Sequence, residues 1–213
     1  MQCASLGCDG NKVDTPFARY AVMYDSSFMF GKLSAEDLPG ADGAYRQLGN
    51  YSVSSDAKLV DMAGNADYAI GSLLGGSYTL LNKTSTNLNS SYAVYNPVTA
   101  LPQSASFTCT PHLTAARNGT TEGSVTGSAK LTIENATAQA EVSLEVTPET
   151  GTPTQLDATA SFGNGNFEMS NSSGIHVGLG AAANGGFVIV APWKAVFAPS
   201  NITYWGVAAF TCE

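Results

Sequence analysis

The sequence predicts an all-β protein, and three observations predict it. Apolar and polar residues alternate along three successive stretches of the second half, so each stretch has one face for a core and one for water. Turn residues separate these stretches, which makes consecutive strands antiparallel. Charged residues form only 12% of the 213, while Gly, Ser, Thr, Asn and Ala are abundant, a composition suited to short strands and tight turns.

In chain order, residues 1 to about 15 read as a loop held by Cys3 and Cys8. Phe17 to Phe30 is aromatic-rich, with Tyr20, Val22 and Tyr24 on one parity, and reads as a strand. Ser34 and Asp37 have the spacing of a capped helical turn, which Pro39 ends. Tyr45 to Val53 is a second strand. Asp56 to Tyr68 reads as a short helix weakened by Gly64, and Ala69 to Leu81 as a strand broken at Gly75-Gly76. Lys83 to Ser91 is polar and lacks apolar periodicity, so it is taken as a boundary. Residues 1–90 then form an N-terminal β domain and 91–213 a second domain.

The second domain carries about eight strands, near 92–96, 105–110, 123–134, 137–147, 155–163, 166–170, 186–197 and 202–211. Val125, Gly127, Ala129, Leu131 and Ile133 face one way, against Thr126, Ser128, Lys130, Thr132 and Glu134. Ala138, Ala140, Val142, Leu144 and Val146 repeat the pattern, as do Leu156, Ala158, Ala160 and Phe162. Eight antiparallel strands are enough to close a small barrel filled by its own side chains, and the inward alanines suit a tight interior. Trp193 and Trp205 are expected to pack that barrel.

Nine basic and seventeen acidic residues give a formal charge of -8, which repels phosphate backbones and makes nucleic acid an unsuitable partner. No apolar run reaches the ~20 residues of a membrane-spanning helix. No secretory signal is visible ahead of Cys3, and the expectation is that one was removed. Four cysteines allow three pairings. Cys109 and Cys212 each end a similar phrase, Phe107-Thr-Cys109 and Phe210-Thr-Cys212, which favours pairing them and leaves Cys3 with Cys8. Four reduced, buried thiols are the alternative.

Reactive groups are few. There is no G-x-S-x-G elbow, no H-E-x-x-H and no phosphate-binding Gly-Lys loop, so a non-enzymatic role is expected. Gly174, Gly178 and Gly180 read as turn glycines. Glu141 and Glu145 share a strand face with Gln139 and read as solvated. The cluster Phe17, Tyr20, Met23, Tyr24, Phe28, Met29 and Phe30 reads as core, or as an exposed aromatic patch for binding.

Three phrases, Gly123-Ser-Val-Thr-Gly127, Phe162-Gly-Asn-Gly-Asn-Phe167 and Val196-Phe-Ala-Pro-Ser-Asn201 followed by Tyr204-Trp-Gly206, resemble strand and turn phrases of transferrin-binding-protein-B-like bacterial surface proteins, including the small secreted hemophilins. Ala198 stands where that family has Gly, and a single Gly206 where it has a pair. The resemblance implies an N-terminal strand-rich handle domain before an eight-stranded antiparallel β-barrel. It also implies a secreted or outer-membrane surface location, capture of a haem or a host protein, and an outer-membrane receptor as a partner. Haem binders of that kind use a handle histidine. Residues 1–90 contain no His, which leaves His112 and His176, or tyrosines such as Tyr20 and Tyr24, as haem ligands. Tyr20, Tyr24, Phe28, Phe30, His112 and His176 are thus the candidate ligand-binding residues. The alternative function is a non-catalytic structural or adhesive surface domain.

Overall fold

The computed structural model describes residues 17–25, 27–86, 89–119, 121–163, 165–170, 174–198 and 201–213. Among these the protein is all-β, with large antiparallel sheets and no α-helix. In chain order the first-half strands are β1 (Arg19–Tyr24), β2 (Ser27–Lys32), β3 (Gln47–Leu48), β4 (Tyr51–Val53), β5 (Lys58–Gly64), β6 (Tyr68–Leu74), β7 (Ser77–Leu80), β8 (Lys83–Thr86) and β9 (Asn89–Pro97). The rest are β10 (Ser104–Leu113), β11 (Ala116–Asn118), β12 (Thr121–Glu134), β13 (Thr137–Thr147), β14 (Thr154–Phe162), β15 (Glu168–Ser170), β16 (His176–Ala181), β17 (Phe187–Phe197) and β18 (Ile202–Cys212).

The long sheet runs β14-β13-β12-β10-β18-β17-β16-β9-β1-β2, with β15 on β16 and β5-β6 joined through β9; β3-β4-β7-β8 form a separate sheet. Three apolar cores are stacked along it. The first gathers the inward residues of β12, β13 and β14 with Phe187, Ile189, Trp193 and Phe210 of β17 and β18. The second lies on the opposite face of those two strands, where Val188, Val190, Trp205 and Val207 meet Met23, Tyr68, Ile70 and Tyr95. The third fills the far side of β1, β6 and β9, where Val22, Leu73 and Tyr92 pack against Leu48 and Tyr51.

The alternation read in β12, β13 and β14 is present in space: Ala138, Ala140, Val142, Leu144 and Val146 are buried, as are Leu156, Ala158, Ala160 and Phe162. Glu141 and Glu145 are exposed beside Gln139. β17 and β18 are instead apolar almost throughout because both of their faces are covered. Trp193 lies in the first core as expected. Trp205 faces the second core and donates its indole N–H to the Asn89 carbonyl at 3.1 Å.

Several expectations are corrected. Phe17 to Phe30 is not one strand but the hairpin β1–β2. The helix expected over Asp56 to Tyr68 is strand β5, paired with β6. A bulge between Leu59 and Asp61 shifts its phase, so Leu59, Met62 and Ala63 acquire helix-like spacing in the sequence. Asp37 accepts a hydrogen bond from the Ser34 N–H at 2.7 Å, closing a turn that never becomes helix. Lys83 to Ser91 is not a linker. β8 is polar because it is an exposed edge strand, and Asn89, Ser90 and Ser91 are buried at the start of β9, where Ser91 Oγ and Ser72 Oγ hydrogen-bond at 2.9 Å. Position 90 therefore falls inside a strand.

β9, the expected strand near 92–96, pairs along its length with β1 and β6 and meets β16 at only two positions. Its place in the second-half ladder is taken by β16, which the sequence reading missed. Gly178 and Gly180 are strand residues of β16, not turn residues. A Cβ at Gly178 would sit 2.9 Å from Tyr95 Oη, and one at Gly180 2.8 Å from the Tyr95 ring; glycine is needed for the close approach of β9.

Cys109 and Cys212 are cross-strand partners and form a disulfide that closes a separation of 103 residues. The Cys3–Cys8 pairing lies outside the described residues. Reduction of Cys109–Cys212, or a Cys109→Ser/Cys212→Ser variant, is expected to destabilise the protein by about 4 kcal/mol, read as a lower unfolding midpoint in denaturant.

Candidate functional site

The six predicted binding residues separate into different places. Tyr20 is buried in the third core, its ring lying over Gly31 and Gly49, where added Cβ atoms would come within 2.5 and 3.0 Å of it. Tyr24 packs with Tyr51 and Tyr78 at ring separations of 5.2 and 5.3 Å. Burial, then the carboxylates of Asp37 and Asp25 respectively, raises both phenols above the ordinary tyrosine range, so ionised tyrosine is disfavoured at either position.

His112 lies in β10 opposite Ala209, 5.4 Å from the Tyr68 ring, with Nε2 3.3 Å from Thr211 Oγ1. The pairings His112–Ala209, Ala209–Val190 and Val190–Gly178 put it three strands away from Gly178, which lies two residues along β16 from His176.

Phe28, Phe30 and His176 do come together. β2 is an edge strand whose Phe28 and Phe30 point toward the second core while Met29 points to the third. His176 opens β16 and is only 7% exposed. Its ring stacks on Phe28 with centroids 3.3 Å apart and planes 16° apart, and Phe30 meets Phe28 edge-on at 6.2 Å. Nδ1 of His176 is buried, with no hydrogen-bond partner among the described residues. Burial, helped by the positive charge of Lys194, pushes the imidazole down to about 4. The ring is therefore neutral at physiological pH.

Beside this stack lies a group that the sequence reading missed. Arg19, at the start of β1, pairs with Glu168 of β15: its Nε donates to Oε1 at 2.9 Å, and Nη2 donates to the same oxygen. The buried Tyr95 hydroxyl also donates to Oε1, at 3.3 Å. Burial and then the Glu168 charge push the Tyr95 phenol up. Burial opposes the charge on Arg19, but the Glu168 hydrogen bond and charge outweigh it and raise its pKa. These three residues wall a cleft of about 270 Å³ between β1–β9 and β15–β16. Arg19 and Glu168 are 149 residues apart, and neither sits in a motif, so nothing local marks them. Tyr95 Oη and Phe30 both crowd Gly178, which joins the cleft to the aromatic stack along one seam.

No protein-family model, no curated protein and no solved structure matches this chain.

The neutral, buried His176 makes stability pH-dependent. Its pKa is lower folded than the ordinary 6.5, so the unfolded chain binds more protons between those values. Its contribution is fully present above about 6.5 and is lost as the pH falls toward 4. Denaturant midpoints at pH roughly 7 and roughly 5 are expected to differ less in His176→Phe than in the native protein. Equal differences would place the proton uptake elsewhere.

Proposed function

We propose that this protein is an exported, non-catalytic binding module that captures a host-derived ligand, a haem or a host protein. In this reading residues 1–90 act as a handle domain and residues 91–213 as an eight-stranded antiparallel barrel. The ladder β14-β13-β12-β10-β18-β17-β16-β15 supports the barrel, since it has eight strands and its two ends, β14 and β15, are in contact. The strand and turn phrases that resemble transferrin-binding-protein-B-like proteins support the capture role and, with it, display outside the cell and an outer-membrane receptor as a further partner.

The observation that carries the reading is the Phe28–Phe30–His176 group. Two half-buried aromatic rings on an edge strand cover a buried neutral imidazole, an amphipathic surface of the kind that anchors protein partners or the face of a planar ligand. Were haem the ligand, His176 would supply the nitrogen that holds it, with Phe28 fixing the plane of the imidazole. A second reading, a structural or adhesive display domain, is favoured by the covering of β17 and β18 on both faces and by the polar outer face of β12–β14. On that face Ser143 hydrogen-bonds Asp157 at 2.7 Å and Gln155 at 2.6 Å.

Haemin titration followed by capture from serum separates these readings. A saturable Soret shift that disappears in His176→Phe is the expected result for haem. For a protein ligand, a retained host protein that is lost when Phe28 and Phe30 become Ala is expected instead. Neither a Soret shift nor a retained protein would leave only the display domain.

A further inference from the structure

We propose that the cleft between β1–β9 and β15–β16 is a binding site for a neutral sugar residue. The argument starts from charge. Arg19 and Glu168 neutralise one another inside the cleft, and their side chains keep 24% and 21% of their surface open. The pair has no net charge to attract an ion: an anion approaching Arg19 meets the Glu168 carboxylate beside it, and a cation approaching Glu168 meets the guanidinium. A neutral ligand carrying hydroxyl groups meets no such repulsion, because one hydroxyl can accept from the guanidinium and donate to the carboxylate while the pair stays intact.

The remaining walls fit the same class. Asn166 supplies a planar polar side chain whose Oδ1 already accepts from the Glu168 N–H at 3.3 Å, fixing the turn that presents it. Phe167 and Leu179 line the other side of the cleft and offer apolar surface to the C–H face of a pyranose ring. Tyr95 is 1% exposed, and its hydroxyl holds the Glu168 carboxylate in place from beneath. The walls are therefore pre-organised, polar on one side and apolar on the other, at a volume of about 270 Å³ that suits one monosaccharide. This site adjoins the His176 stack across Gly178 but is lined by other residues, so its test does not depend on the capture reading.

The test is backbone amide chemical-shift mapping on the isotope-labelled native protein with methyl glycosides of glucose, galactose, mannose and N-acetylglucosamine, and with glucuronic acid and glucosamine as charged probes. The expected result is a saturable shift with at least one neutral glycoside, confined to residues 95–99 and 165–168. That affinity should fall about tenfold in Glu168→Gln and in Arg19→Lys. Three results would overturn the proposal: no saturable shift with any neutral glycoside at tens of millimolar, shifts that map elsewhere, or binding of a charged probe alone. The mapping on the native chain decides the matter even where a variant folds poorly.

Discussion

Burial of β17 and β18 on both faces is the constraint on which the rest of the structure depends. Their odd and even residues serve different cores: Phe187, Ile189 and Trp193 fill one, while Val188 and Val190 fill the next. A strand pair used this way leaves almost no position for a polar side chain, which accounts for the run Phe187-Val-Ile-Val-Ala-Pro-Trp193. Gly206 shows how tight the arrangement is, since a Cβ there would lie 2.7 Å from the Trp193 ring. The disulfide from Cys212 to Cys109 fixes the end of this shared wall to β10. Packing on one side is thereby held in register with packing on the other.

This layering decides what the sequence could reveal. β12, β13 and β14 have one wet face, so their period of two survives in the sequence and their limits are readable nearly to the residue. β17 and β18 lose the alternation but keep the length and β-branched content of buried strands. Strands that meet another strand closely are the hidden ones. β16 is written His176-Val-Gly-Leu-Gly-Ala181, and its glycines look like turns until Tyr95 and Phe30 are seen lying across Gly178. β5 is hidden by its bulge, and β8 by the polarity of an exposed edge. In each case the local pattern points to the wrong element, because the tertiary context that reinterprets it is not visible in the sequence.

The candidate site follows the same division. Phe28 and Phe30 stand out in the sequence as an aromatic excess, and His176 stands out as one of two histidines, so three of its residues were legible individually. Their meeting was not, because it depends on β2 reaching β16 across the sheet. Tyr20 and Tyr24 are fixed in the third core, and His112 against Tyr68 of the second, by ordinary packing. Residue type located chemistry that could bind; only topology separated side chains spent on cores from those left at a junction. Arg19 and Glu168 had no signal of either kind, since a partly buried ion pair between distant strands follows from the fold and not from any spacing.

At that junction the backbone itself holds little. β17 and β18 pair over eleven positions, whereas β9 and β16 share the two pairs Gly180–Pro97 and Ala181–Asn96. Side chains supply the remaining cohesion there: the Phe28–His176 stack on one flank, and the Arg19–Glu168 pair with the Tyr95 hydroxyl on the other. Such contacts are individually modest and open to competition from a ligand that offers equivalent partners, unlike a run of ladder hydrogen bonds inside a sheet. A protein built from stacked cores therefore offers recognition chemistry at the seam between them, because that is where polar and aromatic groups are needed to join the halves and remain within reach of solvent.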